Sequence, residues 1–344
     1  MALGNRLRQA RRYVFADALE LRLTGPRSAI RHYDAEYDAE AGEARQPDLE
    51  IVFGQRASLA STSRVDGRYK SVRWRVALGS PSGALRAEIE LAGVPRGFGH
   101  SLVQGYFVEP LLSLAAARRG LVLVPAAGIA TGDRAILLMG RSRSGKSSLS
   151  ARILADGGQI LGDDQVFLDG SSRVWTFPRR MRFYTDLPAT APAAYARLPA
   201  ALRLGLIARR VLRVATRGFV APPIRVKPAT LAGRDMPGQM RLGAVLLISR
   251  EPGLRQLAVE KLDTSMAVSL AQELLAAQRW QLSRIEDRAW QLALEETAGR
   301  EAELLRSSLE GCPGSVVRIP TSWGAARALD ALSGRLLVGR AESG

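Results

Sequence analysis

Ala135-Ile136-Leu137-Leu138-Met139-Gly140-Arg141-Ser142-Arg143-Ser144-Gly145-Lys146-Ser147-Ser148 is the stretch that decides how this chain is read. An apolar run with the character of a buried strand passes directly into Gly140 to Ser147, which fits G-x-x-x-x-G-K-S, and a helical pattern follows through Asp156. Glycine lets the backbone curl so that successive N–H groups, roughly those of Ser144 through Ser148, point at phosphate oxygens. The helix N-terminus favours the same negative charge. Gly140, Arg141, Ser142, Arg143, Ser144, Gly145, Lys146, Ser147 and Ser148 are therefore the expected phosphate cradle. Lys146 would reach the β- and γ-phosphates, and the Ser147 hydroxyl would ligate Mg²⁺.

Immediately outward come a Gly157-Gly158 turn, a short strand Gln159 to Leu161, the triplet Gly162-Asp163-Asp164, and another strand, Val166 to Leu168. In ordinary P-loop NTPases the metal-binding acid ends a separate strand many tens of residues downstream. Here Asp163 follows the lysine by 163 − 146 = 17 residues, so one helix and one turn bring the chain straight back. Two adjacent carboxylates there can divide the work: one holds the Mg²⁺ that bridges the phosphates, and the other accepts a proton from an attacking hydroxyl.

Strand, Gly140 to Ser148, helix, then Gly162-Asp163-Asp164-Gln165-Val166 resembles the catalytic domain of the HPr kinase/phosphorylase family, whose fold is related to that of ATP-dependent phosphoenolpyruvate carboxykinase. The likeness covers about residues 98 to 320 in layout and is specific between about 121 and 169. It implies ATP and Mg²⁺ as cofactors, Lys146 as the catalytic loop lysine, Ser147 as a magnesium ligand, Asp164 as the proton acceptor that activates a substrate serine, and Asp163 as the acid beside it at the metal. Family members form hexamers, but that does not transfer through the unrelated N-terminal module here, so a homo-oligomer is left open among the partners. Three positions depart from the pattern. Pro125 stands where members often carry a histidine, fifteen residues before Gly140; Arg143 replaces a small loop residue; and no downstream glutamate motif is visible, since Asp186 is the only acid between Arg173 and Arg234. These departures favour the looser group of HPr-kinase-like proteins, including those resembling the kinases that phosphorylate a serine on lasso-peptide precursors, over an enzyme acting on HPr itself.

Elsewhere the chain reads as α/β with an α+β tendency. Residues 1–97 form a strand-rich module of unknown role, with strands at Leu49 to Phe53, Tyr69 to Leu78 and Ala84 to Leu91. Residues 98–344 form the kinase-like domain. The acidic stretch Asp34 to Glu43 reads as a solvated loop or helix face. Helical spacing runs from Ser101 to Arg119, then Leu121 to Ala130 reads as a buried strand ahead of Ala135 to Met139. Further on, Arg241 to Ser249 is a buried strand, Met266 to Leu309 is helical, and Ser315 to Ile319 is a closing strand.

The net charge is +16, from 49 basic and 33 acidic residues among 344. Thirteen cations against one acid between Arg173 and Arg234 supply 13 − 1 = +12 of it. Seven prolines there argue for loops around one helix, Ala200 to Arg217, on which Arg203, Arg210, Arg213 and Arg217 are spaced to share a face. In Ile224-Arg225-Val226-Lys227 two cations alternate onto one side of a strand, well placed for a phosphate or carboxylate. The segment reads either as an electropositive rim for an acidic peptide or phosphorylated product, or as a solvated basic surface. Only four of the 49 cations in the whole chain are lysines, which also fits arginine-rich codon usage. A nucleic-acid partner lacks the support of interleaved aromatics or a known binding module. One cysteine, Cys312, excludes an internal disulfide, and His32 and His100 are too far apart in sequence to suggest a transition-metal site. With no apolar stretch of membrane-spanning length and early charges at Arg6, Arg8, Arg11 and Arg12, a soluble, cytoplasmic protein with no membrane partner is expected.

The expectation for function is an ATP- and Mg²⁺-dependent kinase acting on a hydroxyl, a serine of a peptide or small protein. The alternatives are a kinase for a small metabolite and a nucleotide-gated binding protein without transfer activity.

Overall fold

The computed structural model describes residues 8–37, 46–54, 63–219 and 222–338. Of the acidic stretch Asp34 to Glu43, expected to be solvated, the described part is not, since Glu36 and Tyr37 are buried; the rest lies outside the described residues. The chain is mixed α/β and divides into two compact units, Met1–Leu123 with Gln272–Ser307, and Val124–Ala271 with Ser308–Gly344.

In the first unit, β1 (Gln9–Phe15) and β2 (Leu19–Gly25) form a hairpin, α1 (Arg27–Asp34) follows, and β3 (Leu49–Gly54), β4 (Arg64–Tyr69), β5 (Val72–Leu78) and β6 (Leu85–Ala92) complete a six-stranded sheet in the order β1-β2-β3-β6-β5-β4. β2, β3 and β6 run parallel, and the outer pairs are antiparallel. Alternation at Leu19, Leu21, Leu23, Leu49, Ile51 and Phe53 buries one face, as the two-residue strand period requires. The run Tyr69 to Leu78, expected as one strand, is instead the end of one hairpin arm and all of the other. Lys70 takes φ 53° and Tyr69 pairs with Val72, and no extended strand continues through a left-handed residue. The helical run begins earlier than its spacing suggested, as α2 (Arg96–Val103), one π-helical turn (Gln104–Val108) and α3 (Glu109–Arg118).

The second unit opens where the short strand β7 (Leu121–Val124) gives way to β8 (Ala126–Thr131). The expected single strand breaks at Pro125, which has no N–H to donate to a ladder. β8 pairs antiparallel with β9 (Arg134–Met139), which leads through the glycine-rich loop into α4 (Lys146–Ala155). β10 (Gln159–Gly162) returns antiparallel to β8, and β11 (Val166–Asp169) pairs with β12 (Arg173–Trp175). The basic segment holds β13 (Met181–Phe183), α5 (Leu187–Thr190), α6 (Pro192–Arg197), α7 (Ala200–Ala215), β14 (Ile224–Val226) and α8 (Pro228–Ala232). The long strand β15 (Gln239–Glu251) lies parallel to β9 on one edge. Its other edge pairs first with β12 and then, further along, with β17 (Gly314–Pro320), which also carries β16 (Ala258–Lys261). α9 (Thr264–Gln278), α10 (Arg288–Leu309) and α11 (Ala325–Val338) are the last helices. Leu138, Leu149, Leu154, Ile160, Phe183, Leu206, Ile248, Ile319 and Leu329 belong to one buried cluster that joins sheet and helices behind the loop.

The helical run from Met266 to Leu309 is interrupted. Asp287 Oδ1 accepts the backbone N–H of Ala289 (2.9 Å) and Trp290 (3.2 Å), so α10 starts afresh with its own cap. α10 belongs with the N-terminal sheet: Trp290 is fully buried and donates to Gly79 O at 3.0 Å, Ser63 donates to Asp287 at 2.9 Å, and Ser113 of α3 donates to Glu301 at 3.0 Å. Compactness thus divides the chain differently from the 1–97 and 98–344 segments drawn on sequence pattern, because these long-range contacts gather residues 272–307 and 98–123 around the first sheet.

Candidate functional site

β9 delivers the loop from an inner position of its sheet, between β8 and β15, so the strand end is buried and Gly140 emerges against a neighbouring backbone. A Cβ at Gly140 would lie 2.5 Å from Ile248 O, which explains why the first loop position tolerates no side chain. Gly145, at φ 104°, makes the left-handed turn into α4. Between them Arg141, Ser142 and Arg143 are exposed, whereas Ser144 is buried. Arg143 also takes a positive φ of 68°, a conformation that costs a non-glycine residue about 1 kcal/mol. Ser148 lies in the first turn of α4, the last of the expected cradle residues.

Lys146 folds back over the loop, donating from Nζ to Gly140 O at 2.6 Å and Arg141 O at 3.2 Å. Burial lowers its pKa from the ordinary lysine value, and Asp164 and Asp163 act in the opposite sense. Their charges are therefore felt at the lysine, as the 17-residue return of the chain required. The turn Gly162-Asp163-Asp164-Gln165 is tight, since a Cβ at Gly162 would stand 2.1 Å from Gln165 O.

The two aspartates occupy different surroundings. Asp163 is buried, and desolvation, reinforced by the Asp164 charge, pushes its pKa up to about 7, partly offset by the Ser147 and Ser150 hydroxyls and by Lys146. Its Oδ1 has no hydrogen-bond partner of ordinary geometry, although the Ser147 and Ser150 hydroxyls lie close enough to the carboxylate to pull its pKa back down. Asp164 is half-buried. A buried carboxylate oxygen without a partner, facing a serine hydroxyl where the glycine-rich loop enters α4, matches the hard oxygen ligands that Mg²⁺ prefers, and the donor set would fit a magnesium-bound triphosphate. No group of three or more His, Cys, Asp or Glu that could hold a metal by itself occurs among the described residues.

Sequence reasoning passed over Ser150, although it lies one helical turn from Ser147 on the same face. It also passed over the partners of Arg225 and Lys227. β13 and β14 form a two-stranded ribbon whose register sets Arg182 directly opposite Arg225. Met181, Phe183, Ile224 and Val226 point into the core, so both arginines project from the other face, with Arg180 and Lys227 at the end of the ladder. Like charges directly opposite are unfavourable without an anion between them. Arg180 Nε and Arg182 Nη2 are buried donors without partners. Arg179 Nη1 approaches Gln165 Oε1 at 3.5 Å, which ties the start of this ribbon to the residue after Asp164. The helical face drawn from Arg203 to Arg217 is shorter than expected: α7 ends at Ala215, and Arg217 sits beyond it at φ 47°.

His32 and His100, far apart in sequence, meet in the first unit with ring centroids 5.6 Å apart. His32 Nε2 pairs with Gln104 Oε1 at 2.9 Å, and burial lowers the His100 pKa to about 4. No helix among the described residues is long and apolar enough to cross a membrane. No protein-family model matches the chain, and no curated protein matches it.

Proposed function

We propose that this chain is an ATP- and Mg²⁺-dependent phosphotransferase of the HPr-kinase-like type, acting on a hydroxyl of an acidic peptide or small protein. The observation that carries the reading is the buried Asp163 carboxylate, one oxygen of which lacks a hydrogen-bond partner, set against Ser147, with its charge felt at Lys146. In this reading the loop amides and Lys146 hold the phosphates, while Ser147 and Asp163 hold the magnesium. The metal supplies charge neutralisation on the phosphate oxygens. Asp164, the more accessible carboxylate, takes the proton of the acceptor hydroxyl as its oxygen bonds to the γ-phosphorus and the bond to the β-phosphate oxygen breaks, releasing ADP.

The cationic ribbon of Arg180, Arg182, Arg225 and Lys227 supports an anionic acceptor. A seryl peptide flanked by acids fits it better than a neutral metabolite. Asp164→Asn is expected to lower transfer of labelled phosphate to an acidic seryl peptide by about 10²-fold or more with ATP affinity nearly unchanged. Lys146→Ala should lose ATP affinity as well. Normal transfer by the Asp164 variant would remove its role as base, and unchanged ATP affinity in the Lys146 variant would remove the loop assignment. ATP bound but not consumed in the presence of the peptide would point to a nucleotide-gated binding protein.

A further inference from the structure

α7 carries an apolar stripe on the side turned away from its own unit. Leu204, Ile207, Val211 and Val214, at intervals of three and four residues, share one face of the helix and are 64%, 52%, 64% and 74% exposed. The opposite side holds the helix to the unit through Leu206, which is buried. Arg209 and Arg213 also lie toward that side, where Arg209 donates to Gly205 O at 2.9 Å and Arg213 to Thr185 Oγ1 at 3.1 Å. Every residue from Arg210 to Ala215 is exposed, and Phe219, just past the helix, is 67% exposed. Arg203 and Arg210 border the stripe, and no acid occurs between Asp186 and Asp235. An exposed apolar face of this kind needs a cover.

We propose that the outward face of α7 docks on an anionic lipid bilayer, with Leu204, Ile207, Val211 and Val214 entering the acyl boundary and Arg203 and Arg210 against headgroup phosphates. Two features favour lipid as the occupant. The stripe is the convex surface of a helix about 15 Å long between Leu204 and Val214, which a bilayer receives without the complementary apolar groove that a protein partner would have to supply. The helix is basic and strongly amphipathic, with no acid to repel phosphate, which is the composition of helices that lie in a membrane interface. A second copy of the chain would bring another acid-free, arginine-bordered helix against this one, adding like charge. The inference does not depend on the phosphotransfer reading, since neither nucleotide nor acceptor enters it.

The test is co-sedimentation of the full chain, without nucleotide, with vesicles of phosphatidylcholine mixed with phosphatidylglycerol and with vesicles of phosphatidylcholine alone. The wild type should pellet with the mixed vesicles, weaken as salt is raised, and bind the neutral vesicles roughly tenfold less or worse. Val211→Asp and, separately, Arg203→Glu with Arg210→Glu should each reduce binding to the mixed vesicles by roughly tenfold or more. Val211 and Arg210 are exposed and Arg203 is half-buried at the edge of the stripe, so an unchanged circular dichroism melt should accompany the loss. Wild-type protein left in the supernatant with mixed vesicles, or variants that pellet as it does, would overturn the proposal. A dimer in sedimentation velocity that Val211→Asp dissolves, with no lipid binding, would assign the face to a second copy. Saturable binding of poly-glutamate that Val211→Asp abolishes, again without lipid binding, would assign it to an acidic protein.

Discussion

Asp163 is the residue on which the site's chemistry and the protein's stability meet. Burial and the neighbouring Asp164 charge push its pKa up from 3.8 to about 7, so the fold favours its neutral form. The associated stability is present in full below pH 3.8 and is lost as pH rises toward 7, because above that point a buried carboxylate must be kept charged next to Asp164. The ligand-free protein should therefore be less stable at pH 8 than at pH 5. Asp163→Asn should remove that difference, raising stability at pH 8 by on the order of 2–4 kcal/mol in urea unfolding. Bound Mg²⁺ would favour the charged form, so Mg·ATP binding at pH 6 should release up to about one proton from the aspartate pair, read as a buffer-dependent heat in calorimetry and absent in the asparagine variant. Asp163 and Asp164 were legible as candidates from their interval to Lys146. Which of the two is buried was not, because that depends on how β10 and β11 enclose the turn.

At the scale of elements, strong periodicity carried the reading and its interruptions did not. β3, β6, β9, α4 and β17 lie where their patterns placed them to within a residue or two. Lys70, Pro125 and the stretch from Arg279 to Asp287 broke runs whose hydrophobic period continues across the break, so period alone could not show the interruption. α3, α9 and α10 are held together by a buried charge: Arg279 donates to both Glu301 and Ser113, and burial raises the Glu301 pKa against the pull of Arg279. Glu301→Ala should leave the guanidinium buried and unpaired, costing about 3–5 kcal/mol in chemical unfolding. Replacing both partners with leucine should recover most of that, because neither charge then remains to be satisfied. Gly162→Ala is a second element-level test. With no room for a Cβ beside Gln165 O, the turn must open, and the proposed ATP-dependent transfer should fall further than global stability does.

For the whole molecule, the two units should answer pH in opposite directions. In the first, buried His100 is held neutral by desolvation and by Arg96, its pKa lowered from 6.5 to about 4, so stability is full above pH 6.5 and declines as pH falls toward 4. In the second, Asp163 produces decline as pH rises. Amide exchange should therefore show core strands β2 and β3 losing protection on acidification and β9 and β10 losing it on alkalinisation. His100→Phe, placed beside Phe53, should flatten the acid limb alone. The +16 charge has a comparable division: the excess between Arg173 and Arg234 was countable in the chain, but its distribution was not. The sequence by itself determined the phosphate-loop pattern, the returning aspartates and the basic segment, because each rests on neighbours in the chain or on composition. Only the tertiary structure decided that residues 272–307 join the N-terminal sheet, that Arg182 faces Arg225, and that the apolar side of α7 is turned outward. These are matters of register and packing between distant segments, and local sequence carries no term for them.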